Sequence, residues 1–333
     1  MFRSSGWHGL TAAHPALLAG ITVHVQPPWM SRRPTSRDND MTAMLHRYAA
    51  FSHDPAGGNP AGVWIGDILP ATAVMQRIAA EVGFSETVFV AGTGNVRSAR
   101  YFSPEVEVPF CGHATIAAGI VLGETCGDGR YLLETTAGEV PVMVTQRDGV
   151  REAALTSVVP RHAAAAPGLV DAALAALGWT HLELDHRIPP ARAYAGAWHL
   201  VLAVRDAARL ASLAYDFERL KALMLEDGLT TLQLVWRERA DLFHARNPFP
   251  VGGVVEDPAT GAAAAALGGY LRDAGLVAAP VRIRIRQGDW MGRPGLLVVD
   301  IPRSGGIIVS GTAVPCAAST MSPPSPTCQE PTP

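Results

Sequence analysis

The sequence predicts an α+β protein in which short strands curl around two buried helices. Residues 114–122 and 262–271 are apolar runs with no polar face, and such helices must be buried in a soluble protein. Most of the remaining chain consists of short strand-like runs that end at Gly, Pro and Asn turns. Each apolar run follows a similar Pro and Gly turn, which suggests an internal duplication. These observations favour a sheet wrapped around one helix in each half over a series of βαβ units.

Residues 107–115 lead directly into the first apolar run and carry groups suited to chemistry. Pro109 breaks the incoming strand, and Gly112 permits a tight turn before the helix. The free N–H groups and the positive dipole end of that helix would stabilise a carboxylate or a developing enolate. Cys111 and His113 flank this turn. The segment is therefore a candidate anion site with titratable groups beside it.

Residues 256–261, Glu-Asp-Pro-Ala-Thr-Gly, form a second turn of this kind before the second apolar run. A strand-like run with an aromatic residue, an arginine and a proline precedes each turn, at 100–104 and at 243–248. If the two copies face each other, two helix N-termini converge on one cleft, which would suit a small dianion or an amino acid. An alanine-rich helix is usually only a core helix, but that alternative explains the matched turns less well.

Hydrophobic periodicity and turn residues predict the other elements. Helices are predicted at 71–82, 169–177 and 217–225. Strands are predicted at 46–51, 61–65, 84–90, 96–102, 130–135, 139–145, 197–204, 229–235, 281–286, 295–301 and 306–314. The glycines at 92 and 94 indicate a hairpin turn and not a dinucleotide-binding loop, because no third glycine follows and a strand continues.

Glu86 lies inside the predicted strand at 84–90, among Val and Phe residues. A charged residue in that position usually points outward from a half-buried strand. A glutamate held in an apolar cleft would instead have a pKa raised towards neutrality, as a general base requires. The strand taken alone favours the outward orientation.

Composition and charge exclude several classes of function. The 333 residues are 48% hydrophobic and 17% charged, with a net charge of −3 and a pI near 6.4, which gives no electrostatic footprint for nucleic acid. The sequence has no apolar, uncharged segment of about twenty residues, so no membrane partner is expected. The cysteines at 111, 126, 316 and 328 form no CxxC pair, which favours a reducing compartment and a cytoplasmic location.

The two ends of the chain differ in composition from its middle. Residues 1–41 mix arginines with Ser, Pro and His, and they make a poor signal peptide because His and Pro interrupt the apolar stretch. We interpret residues 1–41 as the product of an upstream start or as a disordered extension, with the folded domain beginning near Met41 or Met44. The Ser-, Pro- and Thr-rich residues 316–333 are interpreted as a disordered tail. Between them we expect a first domain, 42–150 plus 305–315, and a second domain, 151–304.

Five motifs, in order over roughly residues 44–315, resemble those of the PhzF family of phenazine-biosynthesis isomerases and epimerase-like proteins. They lie at residues 58–61, 85–90, 100–115, 256–261 and 287–295. The resemblance implies a diaminopimelate-epimerase-like fold with two pseudo-symmetric domains, each a β-barrel-like sheet around a central helix. It places the active site in the cleft between the domains and implies a homodimer.

The resemblance also assigns roles to residues. It implies that Glu86, in its Ser-Glu-Thr strand, is the acid/base carboxylate and that His113 and Asp257 assist it, which reverses the preference for an outward Glu86. The implied enzyme is an isomerase that needs no cofactor and moves a proton on a small carboxylated metabolite. The candidate substrate-binding residues are Asn59, Gly112, Ala114, Thr260, Gly261 and Ala262.

Two departures from related patterns leave alternatives open. Two-thiol racemases and epimerases place one cysteine at each helix N-terminus, but here Asp257 is opposite Cys111, which disfavours that mechanism. Ala262 stands where many family members carry serine, so the phenazine-pathway substrate itself is not implied. A racemase or epimerase of an amino-acid derivative and a non-catalytic metabolite-binding protein remain alternatives. Metal catalysis is disfavoured because Cys111 and His113 lack further ligands at a recognisable spacing.

Overall fold

The computed structural model describes residues 43–316. The tails expected to be disordered, 1–41 and 316–333, therefore lie outside the described residues except for Cys316 itself. Among the residues that the structure describes, no helix has the length and apolar character needed to cross a membrane.

In the described part of the chain, eighteen strands form one mixed sheet and six α-helices pack against it. The strands are β1 (Met44–Ala50), β2 (Asn59–Gly66), β3 (Glu86–Ala91), β4 (Val96–Phe102), β5 (Glu107–Val108), β6 (Gly129–Thr135), β7 (Gly138–Arg147), β8 (Val150–Thr156), β9 (Arg161–Ala164), β10 (Ala191–Tyr194), β11 (Trp198–Val204), β12 (Thr231–Arg239), β13 (Leu242–Phe249), β14 (Val254–Asp257), β15 (Val281–Gln287), β16 (Gly295–Ile301), β17 (Ile308–Gly311) and β18 (Ala313–Pro315). The helices are α1 (Thr72–Val82), α2 (Gly112–Cys126), α3 (Pro167–Leu177), α4 (Ala207–Ala211), α5 (Phe217–Glu226) and α6 (Gly261–Asp273).

The strand pairing repeats once along the chain. In the first half β2 pairs in parallel with β3, β3 antiparallel with β4, β4 in parallel with β6, and β6 antiparallel with β7. In the second half β11, β12, β13, β15 and β16 pair in the same order and with the same directions. The internal duplication predicted from the two turns is therefore confirmed. The limits assigned to the two domains from the sequence stay a prediction.

Helix α2 is the centre of the first half and is buried from His113 to Gly123. It packs against β1, β2, β3, β7 and β8. A Cβ atom on Gly119 would lie 2.8 Å from the side chain of Ala153 and 3.0 Å from that of Val142, so only glycine lets the helix approach the sheet this closely. The apolar run without a polar face is thus explained by sheet on nearly every side.

Helix α6 occupies the same place in the second half. It packs against β9, β10, β11, β12, β16 and β17 and is buried over most of its length. A Cβ atom on Gly268 would lie 3.1 Å from the side chains of both Val299 and Ile307. Each half is therefore a sheet around one central helix, as predicted.

Two Arg–Glu pairs mark equivalent positions before the central helices. Arg100 binds Glu107 at 2.6 Å in the first half, and Arg246 binds Glu256 at 2.5 Å in the second. Each glutamate lies five residues before the glycine that opens its helix. The pairs anchor the chain just ahead of both helix N-termini, and they explain why an arginine precedes each turn.

Several elements had no clear signal in the sequence. The strands β5, β9, β10 and β14 have only two to four residues, too few for a pattern of alternation. Strand β8, Val-Arg-Glu-Ala-Ala-Leu-Thr, is rich in residues that disfavour strands, and it forms because β7 and the distant β17 pair with it. The predicted strand at 306–314 is divided into β17 and β18.

Candidate active site

The N-termini of α2 and α6 meet. A Cβ atom on Gly112 would lie 3.6 Å from the Cα of Gly261 and 3.7 Å from the backbone nitrogen of Ala262. The convergence predicted from the matched turns is thus present. Two positive dipole ends in contact are unfavourable by themselves, so the arrangement favours negative charge nearby.

Phe51 packs against the start of α6, and no sequence signal pointed to it. It follows β1, and its φ of 63° lies in the left-handed region that a bulky residue rarely adopts. Its backbone nitrogen donates to the Thr312 carbonyl at 2.7 Å and its carbonyl accepts from Leu296 at 2.8 Å. A Cβ atom on Gly261 would lie 3.5 Å from the Phe51 ring. These backbone bonds fix an aromatic ring against the start of α6.

Glu86, Cys111 and His113 form one cluster on the first half. Glu86 opens β3, and its Oε2 lies 3.4 Å from His113 Nε2. The Cys111 thiol donates to the same oxygen at 3.5 Å, and its Sγ is 3.3 Å from His113 Nδ1. The Glu86 side chain is 16% exposed and that of His113 is 6% exposed. Glu86 therefore faces the helix N-terminus, and the outward orientation favoured by the strand alone is wrong.

Asp257 is held on the second half and is connected to this cluster by Asn59. The Asn59 side-chain nitrogen donates to Asp257 Oδ1 at 2.7 Å and lies 3.1 Å from His113 Nδ1. The Thr260 hydroxyl donates to Asp257 Oδ2 at 2.6 Å. Glu86, His113 and Asp257, the three acid/base candidates from the sequence, thus belong to one connected group.

Gln287 is a further residue of the site that the sequence analysis did not single out. Its side-chain nitrogen donates to the Asp257 carbonyl at 2.7 Å and to the Thr260 hydroxyl at 2.9 Å, and its oxygen accepts from the Thr260 amide at 3.2 Å. Gln287 ends the alternating strand β15 on the buried face, after Ile283 and Ile285. A glutamine at a strand position that otherwise carries isoleucine was the sequence signal that could have identified it.

The helix N-caps correct one expectation. The N-cap of α2 is Cys111, and the N-cap of α6 is Thr260. The residue equivalent to Cys111 is therefore Thr260. The sequence analysis had placed Asp257 at that position. Asp257 instead accepts a hydrogen bond from the Thr260 hydroxyl. The second thiol position of a two-thiol enzyme is thus occupied by a hydroxyl that is already engaged.

Exposure separates the candidate substrate-binding residues into two groups. Gly112, Thr260 and Ala262 are partly exposed at the meeting point of the helices. Asn59, Ala114 and Gly261 are buried, and Asn59 is only 1% exposed. A bound molecule could therefore contact the first group directly, whereas Asn59 is reached only through its hydrogen-bonding partners.

Burial shifts the pKa values of all four titratable groups. It raises the pKa of Glu86, an effect that hydrogen bonds from Ser85 and Cys111 only partly oppose. It also raises the pKa of Asp257 to about 6, against the opposing effects of His113 and Thr260. Burial lowers the pKa of His113 and raises that of Cys111 well above its usual range. Near neutral pH the site thus combines a protonated thiol and a neutral imidazole with two carboxyl groups whose pKa values are raised.

The same cluster has metal-ligand character. Ligand atoms of Glu86, Cys111 and His113 all lie within 4.8 Å of one another. Glu86 is thus a third candidate ligand beside Cys111 and His113. It lies on β3, 25 residues before Cys111, a separation that is no recognisable ligand spacing in the sequence.

Comparison with known proteins places the chain in a family. The family model described as phenazine biosynthesis-like protein, PhzC-PhzF, matches residues 48–319. The chain belongs to this family. The resemblance seen in the five motifs is confirmed.

Proteins similar to this chain in sequence are named isomerases. An "uncharacterized isomerase" from Deinococcus radiodurans is 34% identical over 300 residues, which cover 83% of this chain and 94% of that protein. A trans-2,3-dihydro-3-hydroxyanthranilate isomerase from Pseudomonas chlororaphis is 34% identical over 262 residues, covering 76% of this chain and 89% of that protein. The chain is accordingly an isomerase.

Solved structures agree with the fold. A PhzF-family protein from Bacillus anthracis superposes with a TM-score of 0.72 at 24% identity, over 83% of this chain and 98% of that one. A hydroxyproline epimerase from Agrobacterium vitis gives a TM-score of 0.56 at 14% identity, over 82% of this chain and 90% of that one. The diaminopimelate-epimerase-like fold expected from the sequence is confirmed.

Proposed function

We propose that the chain is a cofactor-independent isomerase in which Glu86 moves a proton between two carbons of a small carboxylated metabolite. The observation that carries the proposal is the position of Glu86 Oε2, 3.4 Å from His113 Nε2, beside the joined N-termini of α2 and α6. This arrangement puts a base next to groups that stabilise negative charge.

Exposure supports Glu86 as the group that contacts substrate. The Glu86 side chain is 16% exposed, whereas that of His113 is 6% exposed and Asp257 is buried. A carbon acid next to a carboxylate is too weak to lose its proton to an ordinary glutamate. The raised pKa of Glu86 makes it a stronger base, and its partial burial limits competing water.

The helix N-termini supply donors for the enolate-like intermediate. At α6, the Thr260 hydroxyl donates to Asp257 and does not cap the helix. At α2, the only side-chain acceptor at the N-cap is the Cys111 sulfur, which lies near the Ala114 amide. First-turn N–H groups of both helices are therefore left for a ligand. A substrate carboxylate or enolate oxygen bound beside the contact of Gly112 with Ala262 would receive these donors from both halves.

His113 and Asp257 complete the proton path. After Glu86 removes the proton, His113 Nε2 lies close enough to hold or return it, and Asn59 couples the imidazole to Asp257. The pKa of about 6 for Asp257 suits a group that binds and releases a proton near neutrality. The proton is returned to a different carbon on the same face of the substrate.

Two alternatives use the same residues. A racemase or epimerase would return the proton to the carbon that lost it, from the opposite face, and a binding protein would transfer none. The substrate of the Pseudomonas chlororaphis relative is the first compound to test, together with other small carboxylates. Ala262 offers no side-chain donor, which favours other carboxylates over that one.

Solvent exchange distinguishes these functions. Each carboxylate is incubated with the protein in D₂O, and the product is followed by NMR. Double-bond migration with deuterium at a new carbon supports the proposed isomerase, and label uptake with loss of stereochemistry supports an epimerase. Thermal stabilisation by a carboxylate that never exchanges would support the binding protein. We also propose a homodimer in the cytoplasm, for which light scattering tests the oligomeric state.

A further inference from the structure

The cluster of Glu86, Cys111 and His113 has the geometry of a metal site. Glu86 Oε2 lies 3.5 Å from Cys111 Sγ and 3.4 Å from His113 Nε2, and Sγ lies 3.8 Å from that nitrogen. These atoms form a nearly equilateral triangle. They belong to a carboxylate, a thiol and an imidazole, which are the three side-chain types that bind zinc in proteins.

The sides of the triangle can be compared with those of a zinc centre. Tetrahedral Zn²⁺ has bonds of about 2.3 Å to sulfur and about 2.0–2.1 Å to nitrogen and oxygen. Such bonds separate sulfur from nitrogen or oxygen by about 3.5 Å, and nitrogen from oxygen by about 3.3 Å. The observed separations differ from these by a few tenths of an ångström at most. The three groups are therefore spaced for a zinc ion, and binding would require the imidazole to turn, because Cys111 Sγ lies 3.3 Å from His113 Nδ1 and 3.8 Å from Nε2.

We propose that Glu86, Cys111 and His113 bind one Zn²⁺ ion, or a divalent ion of similar size and softness, and that the bound ion inhibits the isomerase. Metal binding follows from the cluster itself and does not depend on the proposed function. Inhibition does rest on the proposed function, because the ion would occupy the carboxylate oxygen with which Glu86 takes the substrate proton.

Charge balance supports the site. Binding displaces the thiol proton of Cys111 to the solvent, and the resulting thiolate and the Glu86 carboxylate together neutralise the two positive charges of the ion. The thiolate would also lie at the N-terminus of α2, where the helix dipole stabilises it. The ion and its three ligands together thus carry no net charge in this partly buried position.

The surroundings provide the rest of a coordination sphere. His113 Nε2 lies 3.4 Å from Glu86 Oε2 and 3.5 Å from the Ser85 hydroxyl, and Nδ1 lies 3.1 Å from the Asn59 amide, so both ring nitrogens have polar neighbours beside the proposed site. Ser85 and Glu86 are partly exposed, which leaves the fourth position open to water or to a ligand carboxylate. Three protein ligands with an open fourth position are sufficient for a stable zinc site.

Cobalt titration tests binding without any need for a substrate. The full-length, untagged protein is freed of metal with a chelator and titrated with Co²⁺, and the thiolate-to-cobalt absorption band is recorded. We expect one equivalent to give this band together with the strong visible bands of four-coordinate cobalt, and Zn²⁺ to remove both. The absence of a thiolate band in the wild-type protein would overturn the proposal.

Cysteine variants show whether the band belongs to this cluster. Cys111→Ala should weaken Co²⁺ binding by at least about 100-fold and abolish the band. Cys126→Ala removes an exposed thiol of the described chain and should change neither. If Cys111→Ala does not fold, as judged by circular dichroism, Cys111→Ser replaces it with the same expected loss of the band. Equal binding by the wild type and a folded Cys111 variant contradicts the proposal.

The inhibitory half of the proposal has its own readout. Once a substrate is found by deuterium exchange, one equivalent of Zn²⁺ should stop the exchange, and EDTA should restore it. Exchange that continues while the cobalt spectrum shows a filled site would contradict inhibition and also the assigned role of Glu86, yet leave metal binding intact. If the cobalt bands are absent while exchange is normal and depends on Glu86, the metal site is contradicted and the proposed function of Glu86 is retained.

Discussion

Asn59 joins His113 to Asp257: its side-chain nitrogen lies 3.1 Å from His113 Nδ1 and donates to Asp257 Oδ1 at 2.7 Å. The same nitrogen lies 3.1 Å from the Ala259 carbonyl. Asn59 itself is almost completely buried, so the substrate does not compete for it. One amide thus couples a histidine at the start of α2 to an aspartate just before α6, across the two halves of the protein.

Replacing Asn59 with alanine should reduce turnover more than substrate binding. The variant removes a donor that lowers the pKa of Asp257, so that pKa should rise. The acidic limb of the pH–rate profile should then move to higher pH, and kcat should fall while KM changes little. The loss of a buried hydrogen bond should also cost about 1–3 kcal/mol of stability. The control is Asn95→Ala in the exposed turn between β3 and β4. An unshifted pH profile in Asn59→Ala would show that the contact is only structural.

Replacing Glu86 with glutamine should lower kcat by roughly 10²–10⁴-fold, the usual contribution of a general base. The amide keeps the size of the side chain but cannot accept the substrate proton. Deuterium incorporation into the product measures the effect directly. Glu81→Gln makes the same chemical change at a position where the side chain is 69% exposed, and it should leave exchange unaltered. Full activity in Glu86→Gln would remove the assignment.

The site was only partly predictable from the sequence, and the reasons are physical. The Pro and Gly turns and the unbroken apolar runs encode two buried helix N-termini, so their convergence could be predicted. The orientation of Glu86 could not, because a strand residue points to either face depending on register. The resemblance to the family supplied it. The contact between Asn59 and Asp257 spans 198 residues of sequence, beyond any local pattern.

Some strands could likewise be predicted from the sequence and others could not. Strands with clear alternation, such as β15, were predicted within one or two residues, because period-two patterns reflect burial on one face. Strand β8 was missed, since its partner β17 lies far along the chain and its own residues favour strands weakly. Long-range pairing decided the structure where local preference was weak.

Asp257→Asn should make the protein more stable at neutral pH. Burial raises the pKa of this carboxyl from 3.8 to about 6, so the folded protein disfavours the ionised form. The contribution to stability is complete below the unfolded pKa and is lost as pH rises through about 6. We therefore expect Asp257→Asn to gain about 1–3 kcal/mol at pH 7–8 and nothing below about pH 4. Urea unfolding at both pH values checks this.

The matched control for the stability gain of Asp257→Asn is Asp67→Asn, the same change at an exposed position. Asp67→Asn should change the free energy of unfolding little at either pH. A pH-independent effect of Asp257→Asn would mean that altered hydrogen bonds to Asn59 and Thr260, and not the carboxyl's ionisation, determine the result.

Cys111 should resist alkylation in the native protein. It is buried, and burial raises its pKa well above the usual range, so little thiolate forms at pH 8. Cys126 is exposed and should react with iodoacetamide much faster. Mass spectrometry of peptides after brief labelling compares the two within one molecule. Labelling of Cys111 as fast as Cys126 would favour a reactive thiol and revive the thiol-based epimerase.

The two Arg–Glu pairs should differ in their contributions to stability although they are equivalent by duplication. In the pair Arg246–Glu256 the side chains are 11% and 3% exposed, and in Arg100–Glu107 they are 26% and 29% exposed. Arg246→Leu leaves a buried carboxylate without its partner and should cost about 3–5 kcal/mol. Arg100→Leu leaves a carboxylate that water can reach, so its cost should be smaller.

The double variant Arg246→Leu with Glu256→Leu separates a need for the ion pair from the penalty of an unpaired charge. Both charges are then absent, so we expect most of the stability lost in Arg246→Leu to return. Urea unfolding of the wild type, both single variants and the double variant gives the coupling energy. A double variant as unstable as Arg246→Leu would mean that the pair is needed for its geometry. The hydrogen bonds from Arg246 to the carbonyls of Leu210 and Ala211 would then be the contacts that hold α4 to β13.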